Sequence, residues 1–574
     1  MCHLYFTKKI KSLFVFYIKQ HILQLLTTTQ EKPIEKNRYQ IAFSIFILLA
    51  AGIKLYYHMQ QYMDIQFADE AAYIQFGLAL FEKMNRNWGP LYAVWYKCLS
   101  YFTTSPILLY YINFAITSIA MSLLMFIFLI RLHLTPIVAL FISFCILVSD
   151  LNVSVWPRVS HFCLMICLIS LIISSYIKPV YYKCIAFTIA CLLCAYARPE
   201  FYLSFMIMLL VSLATLYVNK QFLSKNDFYI LSFLLLIIGL LHLIFRFPSN
   251  DFFGYNRGVA AFYQHYAWNY KMRTGATFDA WLNWEDLAKK QFGDCNSILC
   301  VIKTQPGIFI SNTLFNVRTY LLQLLKVCSF IFPIGLFYGK KKQLALTIIV
   351  LFTIVVLLFR KKSRVIFIEK IKAYQFYLLL LFCFITPTLM SCLAVFPRDH
   401  YLYLQMPFYT IILVCIAAYP FNKIKANKLS FTIFGVLLFL ATPSIQSFSF
   451  MQFNGDKQTL CNKKLVNFLE NKYSSKPHTI FTNLPFVHGM LPNNFKEINT
   501  IFDKKKHMPF THYVDSAKID MVIVLPSLLR DPHISSDSTW KNFITNYEQA
   551  GFKKEIFSDC DMYLLVKQAA KSQQ

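Results

Sequence analysis

Two acids stand side by side in the stretch FADEAAYIQFG, residues 67–77: Asp69 and Glu70. Further along, Asp150, Arg158 and His161 fall within SDLNVSVWPRVSH, Arg198 and Glu200 within CAYARPEFYL, and Arg398, Asp399 and His400 within FPRDHYLYLQMPF. A carboxylate can accept a proton, and guanidinium groups stay charged and grip anions through paired N–H donors. Acids plus arginines gathered on one side of a protein would suit an anionic ligand and a proton acceptor. Each group also has a plainer use. Asp69 and Glu70 fall in the first turn of an amphipathic helix striped by Phe67, Ala71, Ile74, Leu78 and Phe81, where the helix dipole tolerates negative charge. Any one arginine can snorkel to a membrane interface.

The elements that must position these groups are apolar. Of 574 residues 57% are hydrophobic and only 15% charged, and the mean hydropathy is +0.49. Apolar runs bounded by Lys, Arg or Pro read as membrane spans at 40–57, 106–130, 136–149, 160–176, 183–197, 201–218, 228–246, 343–360, 374–396, 401–419 and 429–447. This is the pattern of an α-helical polytopic membrane protein with about eleven transmembrane helices. The net charge of +28 follows the positive-inside rule rather than nucleic-acid binding, because no nucleic-acid motif accompanies it. Basic residues concentrate in an arm at 1–39 and in loops such as RKKSR at 360–364 and NKIKANK at 422–428, all of which the alternation sets on the cytoplasmic side.

Within the membrane region 40–451, that alternation sets two long loops outside, 58–105 and 247–342, together with the tail 452–574. The apolar stretch 315–338 is expected to be interfacial or re-entrant, since a further crossing would turn the later basic loops outward. The tail has ordinary polarity, with strand-like HTIFTN, IDMVIVLP and MYLLVK and helix-like WKNFITNYEQAG, which implies a small extramembrane α/β domain. Loop 247–342 is dense in Tyr, Trp and Asn, fitting an aromatic sugar platform or a pair of amphipathic capping helices. Most of the 16 cysteines lie in apolar spans, but Cys295 with Cys300 and Cys461 with Cys560 lie outside and would pair as disulfides in an oxidising compartment.

The acidic DEAAY, the aromatic GPLYAVWYK at 89–97, the acid after the third span, RPE between central spans and PRDHYLYLQMP late in the chain resemble the GT-C glycosyltransferases. Their bacterial members related to lipid A aminoarabinose transferase and protein O-mannosyltransferase are the most similar in plan. The resemblance implies a polyprenyl-phosphate-linked sugar donor and a lipid, glycan or protein acceptor. Transfer would occur with inversion at the periplasmic face of a bacterial inner membrane. It implies Asp69 as general base and Glu70 orienting the acceptor or Asp69. Asp150 would contact acceptor, sugar or a divalent cation if one is used. Arg198 and Arg398 would hold the lipid phosphate, with Arg158, His161 and His400 in support. The first outer loop lacks the His-x-Asp pattern of a metal site, and with only 15 glycines the chain has no nucleotide-binding glycine motif. A lipid-linked glycan polymerase or ligase, or a flippase for a lipid-linked glycan, would share the basic cavity. A transporter more often shows internal repeats, which are not evident in this chain.

Overall fold

A computed structural model describes residues 38–82, 84–86, 88–219, 224–247, 251–252, 255–329, 348–349, 352–424, 426–446, 460–500, 509–531 and 534–568. The basic arm expected at 1–39 lies outside them except for Arg38 and Tyr39, which open the first helix. The chain divides into two compact units. One takes its residues from Met1–Tyr57, Ala115–Ser249 and Asn316–Ser444; the other from His58–Phe114, Asn250–Phe315 and Ile445–Gln574.

The first unit is helical and built for lipid. Among the described residues six helical segments are long and apolar enough to cross a membrane: Arg38–Tyr62, Pro106–Arg131, Val180–Ala197, Pro199–Val218, Asp227–Phe245 and Lys361–Ala394. The helix Lys225–Phe245 leaves Leu235 65% and Leu243 77% exposed. A stripe of naked leucines is tolerable only where the solvent is itself apolar.

The expected count of eleven spans is not reproduced. Three of the expected spans are short helices, Pro136–Leu147, Val159–Ser174 and Lys428–Ala441. At 12 residues the first of these extends about 18 Å, well short of a hydrocarbon core of about 30 Å. The helix Asp399–Ile416 carries Asp399, His400 and Gln405 and is not among the six. The expected span 343–360 falls partly outside the described residues, as does the end of 315–338. What is described of the latter continues the helix Pro306–Ser329. That helix meets Ile298–Thr304 at a 115° bend, the geometry of a broken span or a re-entrant segment, and the total becomes seven if the pair counts as one crossing.

The second unit is assembled from the three segments expected outside the membrane. Helix Asp69–Leu78 packs on helix Pro90–Leu99. The fit is close because Gly77 has no side chain: a Cβ there would lie 2.5 Å from the Tyr96 Cβ and 3.0 Å from the Ala93 carbonyl. Phe81, expected in the buried stripe, is 79% exposed. Helices Arg257–Thr274, Trp284–Phe292 and Ile298–Thr304 close over Phe262, Tyr263, Tyr266 and Phe292, and the Cys295–Cys300 disulfide ties their loop.

The tail forms a five-stranded sheet of β1 (His478–Thr482), β2 (Phe495–Asn499), β3 (Met521–Val524), β4 (Phe552–Ile556) and β5 (Tyr563–Lys567). Its spatial order is β2-β1-β3-β5-β4. β1 pairs in parallel with β2 and β3, while β5 runs antiparallel to β3 and β4. Phe481, Val522, Trp540, Phe543 and Leu565 form its core, and Cys461 is bonded to Cys560.

Asp64 joins the first loop to this domain. Its carboxylate accepts from the backbone N–H groups of Asn462 and Lys463, each at 2.9 Å, in the first turn of helix Cys461–Tyr473. It therefore serves as the cap that Leu460, at the N-cap position, cannot provide. Burial pushes the Asp64 carboxyl above the usual carboxylate range, although these backbone donors pull the other way. Because the folded-state value is raised, its contribution is most favourable below the unfolded value near 3.8 and declines as pH rises through the folded one. Asp64→Ala should destabilise the Cys461–Tyr473 helix by about 1–2 kcal/mol, seen as a lower unfolding midpoint and faster hydrogen exchange at residues 461–464; unchanged exchange there would refute the capping role.

Candidate functional site

The acidic pair divides its labour. Glu70 is fully buried. Its Oε1 accepts from the Tyr92 hydroxyl at 2.6 Å, from the Asn113 amide at 3.1 Å and from the Tyr96 hydroxyl. Asn113 Nδ2 also reaches both phenol oxygens, at 2.8 and 2.9 Å, and closes the cage. Burial first, and the Glu70 charge second, push the Tyr92 and Tyr96 phenols well above their usual range, so both remain donors. A buried carboxylate is tolerated only when several donors replace water. The Glu70 side chain is enclosed and holds helix Pro90–Leu99 against helix Asp69–Leu78, which fits the second of its two expected tasks, orienting Asp69. The sequence signal for the cage was present in GPLYAVWYK, where Tyr92 and Tyr96 are four residues apart on one helix face.

Asp69 is half-buried at the first position of its helix. Consecutive helical residues point about 100° apart, so anchoring Glu70 inward turns Asp69 to the side. The residue before it is strained: Ala68 has φ 70° and ψ −135°, a region nearly closed to residues with a Cβ. Such a conformation costs about 1–3 kcal/mol and persists where the surroundings impose it. Here the Ala68 N–H donates to the Pro485 carbonyl at 2.7 Å. The Trp88 ring lies 5.6 Å from that of Phe486, and the Arg257 guanidinium stands 5.4 Å over the same indole.

The basic residues belong to the other unit and fall into two groups. Arg198 donates to Glu200 Oε1 at 2.6 Å and to Ser160 Oγ at 2.6 Å, and stands 5.4 Å over the Tyr401 ring. Arg398 and Arg198 both act electrostatically on the Tyr401 phenol, and the His400 ring lies 4.3 Å from the Tyr401 ring. Thus the structure brings Arg198, Glu200, Arg398 and His400 together around Tyr401, which sequence reasoning did not single out. Arg398 is half-buried and precedes helix Asp399–Ile416.

Arg158 and His161 do not join them. Arg158 is fully buried, donating to the backbone carbonyls of Asn152 at 2.6 Å and Val153 at 2.9 Å and contacting His161. His161 is also fully buried, its ring 4.1 Å from that of Tyr403, whose hydroxyl donates to Asn152 Oδ1 at 2.8 Å. Both side chains bond to the backbone of the 150–158 turn and hold it. Asp150 lies exposed at the start of helix Asp150–Ser154.

Among the described residues no group of three or more His, Cys, Asp or Glu side chains could hold a metal ion, so the side chains present do not fit a protein-built divalent-cation site. Neither any protein-family model nor any curated protein matches the chain.

The two adjacent acids should respond differently to substitution. Glu70→Ala removes the acceptor shared by two buried phenols and an amide and should cost roughly 2–4 kcal/mol, whereas Asp69→Asn should stay within about 0.5 kcal/mol of wild type. Thermal unfolding of both variants in detergent checks this, and equal shifts would show that Glu70 is not the anchor.

Proposed function

We propose that this chain is a membrane glycosyltransferase of the GT-C kind. It would move a sugar from a polyprenyl-phosphate-linked donor to a hydroxyl on a lipid, glycan or protein. The observation that carries the reading is the division between Glu70, sealed in a phenol and amide cage, and Asp69, its neighbour, left half-buried beside a strained turn. A site that invests a buried charge in fixing the orientation of an adjacent carboxylate is suited to general-base work.

In this reading Asp69 takes the proton of the acceptor hydroxyl as its oxygen attacks the anomeric carbon. The bond from that carbon to the phosphate oxygen breaks, and its electron pair leaves with the polyprenyl phosphate. Inversion follows from attack opposite the leaving group. Charge grows on the departing phosphate, and Arg198 with Arg398 is the pair suited to meet it. Arg198 is held by Glu200 and Ser160, which fixes its fork in advance. Asp150 and His400 are assigned to substrate contacts. Both disulfides fall in the unit built from the segments expected outside, which supports an oxidising, periplasmic location for that unit in a bacterial inner membrane.

The test uses purified full-length protein with a panel of polyprenyl-phosphate sugars and a mixed hydroxyl acceptor pool. Asp69→Asn should lower kcat by roughly 10²–10⁴-fold, and Arg198→Gln or Arg398→Gln should lower kcat/KM by about 10²-fold. Full transfer by a folded Asp69→Asn protein removes the base assignment. Movement of donor across the bilayer without a new glycosidic bond would instead identify a flippase.

A further inference from the structure

The turn that carries Asp69 does not hold its own shape. Ala68 sits in a backbone region that alanine avoids, its side chain offers no cap, and its N–H is satisfied by Pro485 in the loop between β1 and β2. The same loop comes closer still one turn later. A Cβ on Gly489 would lie 2.5 Å from the Ala71 carbonyl oxygen and 2.9 Å from its carbon, so backbone meets backbone there and only glycine fits. Two contacts therefore bracket Asp69 from residues more than four hundred positions later in the chain.

That loop is in turn shaped by one side chain. Glu497, in β2, is 5% exposed and accepts from the Phe486 N–H at 3.1 Å, the His488 N–H at 3.1 Å and the His488 ring Nδ1 at 2.6 Å. Asn499, two residues on and so on the same face of the strand, donates to Glu497 Oε1 at 2.9 Å and to the Leu484 carbonyl at 2.7 Å. Between them these residues hold 484–488 in a loop whose Phe486 adopts the left-handed conformation, φ 59°. A carboxylate meeting several N–H groups from one tight turn is an anion completing a nest of backbone donors.

We infer that Glu497 is a positioning residue for Asp69: through the 484–490 loop it imposes the strained Ala68 turn and so fixes where the Asp69 carboxylate points. The inference rests on the general-base reading of Asp69 for its catalytic consequence, and on geometry alone for the clamp. It gives the C-terminal α/β domain a task in the reaction. Plain structural glue would make a different forecast, since loss of Glu497 would then lower stability without touching turnover in the folded protein.

The experiment takes the full chain in detergent with three substitutions, Glu497→Ala, Glu497→Gln and Gly489→Ala, and measures two things. The first is hydrogen exchange at residues 66–72, with strands Met521–Val524 and Tyr563–Lys567 as internal reporters that the domain remains folded. The second is transfer, split into kcat and KM. Exchange at 66–72 should accelerate at least tenfold in Glu497→Ala and Gly489→Ala, less in Glu497→Gln, which keeps one acceptor oxygen, while the two strands stay protected. Transfer kcat should fall about tenfold in the same order with KM within twofold. Unchanged exchange at 66–72 in both Ala variants overturns the clamp. Accelerated exchange with unchanged kcat overturns the positioning role. Should wild-type protein transfer no sugar from any donor, the general-base reading fails while the exchange data still decide the clamp.

Discussion

The carboxyl group of Glu70 is enclosed where water does not reach, and the geometry of the acidic turn follows from how that group is satisfied. Two phenols and an amide replace its hydration, Tyr92 and Tyr96 from one helix and Asn113 from another. A buried network of this kind is satisfied in one arrangement, so the three helices are fixed together in one register. The register then decides what Asp69 does. With its neighbour anchored inward, Asp69 is carried to the side of the helix start, where it stays half-buried rather than dissolving into solvent or sinking into the core.

The same turn is constrained from a second direction by the C-terminal α/β domain. Asp64 caps the first helix of that domain, the Ala68 N–H bonds to its β1–β2 loop, and Gly489 lies against the Ala71 backbone. The Trp88–Phe486 ring pair adds an apolar contact to these polar and backbone ones. The Cys461–Cys560 disulfide adds a covalent tie close to the Asp64 cap. A strained residue at a junction of this kind is consistent with a site whose geometry matters more than its local energy.

Among the arginines, the partners differ. Arg158 has no exposed surface and spends its donors on carbonyls of its own turn. Arg198 and Arg398 share the neighbourhood of Tyr401, and Arg198 is braced by Glu200 and Ser160. A braced guanidinium beside a second positive charge is an arrangement that an anion would relieve, whereas one closed onto carbonyls has no such need.

What the amino-acid sequence determined by itself was the solvent and the parts. Apolar runs declared a membrane, period-two apolar segments located β1, β3 and β5, and lone outer cysteines marked the pairs that are bonded. It also led to the acids and arginines, because charge placed against hydrophobicity is conspicuous in one dimension. Strands β2 and β4 escaped, since FKEIN and FKKEI carry too much charge for their alternation to stand out. The span count was overestimated because hydrophobicity reports that a residue avoids water without distinguishing lipid from protein interior, as the 12-residue helix Pro136–Leu147 illustrates. Only the tertiary structure decided that Glu70 is caged and Asp69 is not, that Arg158 is spent, and that Glu497 shapes the loop against Ala68. Those outcomes depend on donors and acceptors tens to hundreds of residues apart, and no local pattern of residue types records which of them will meet.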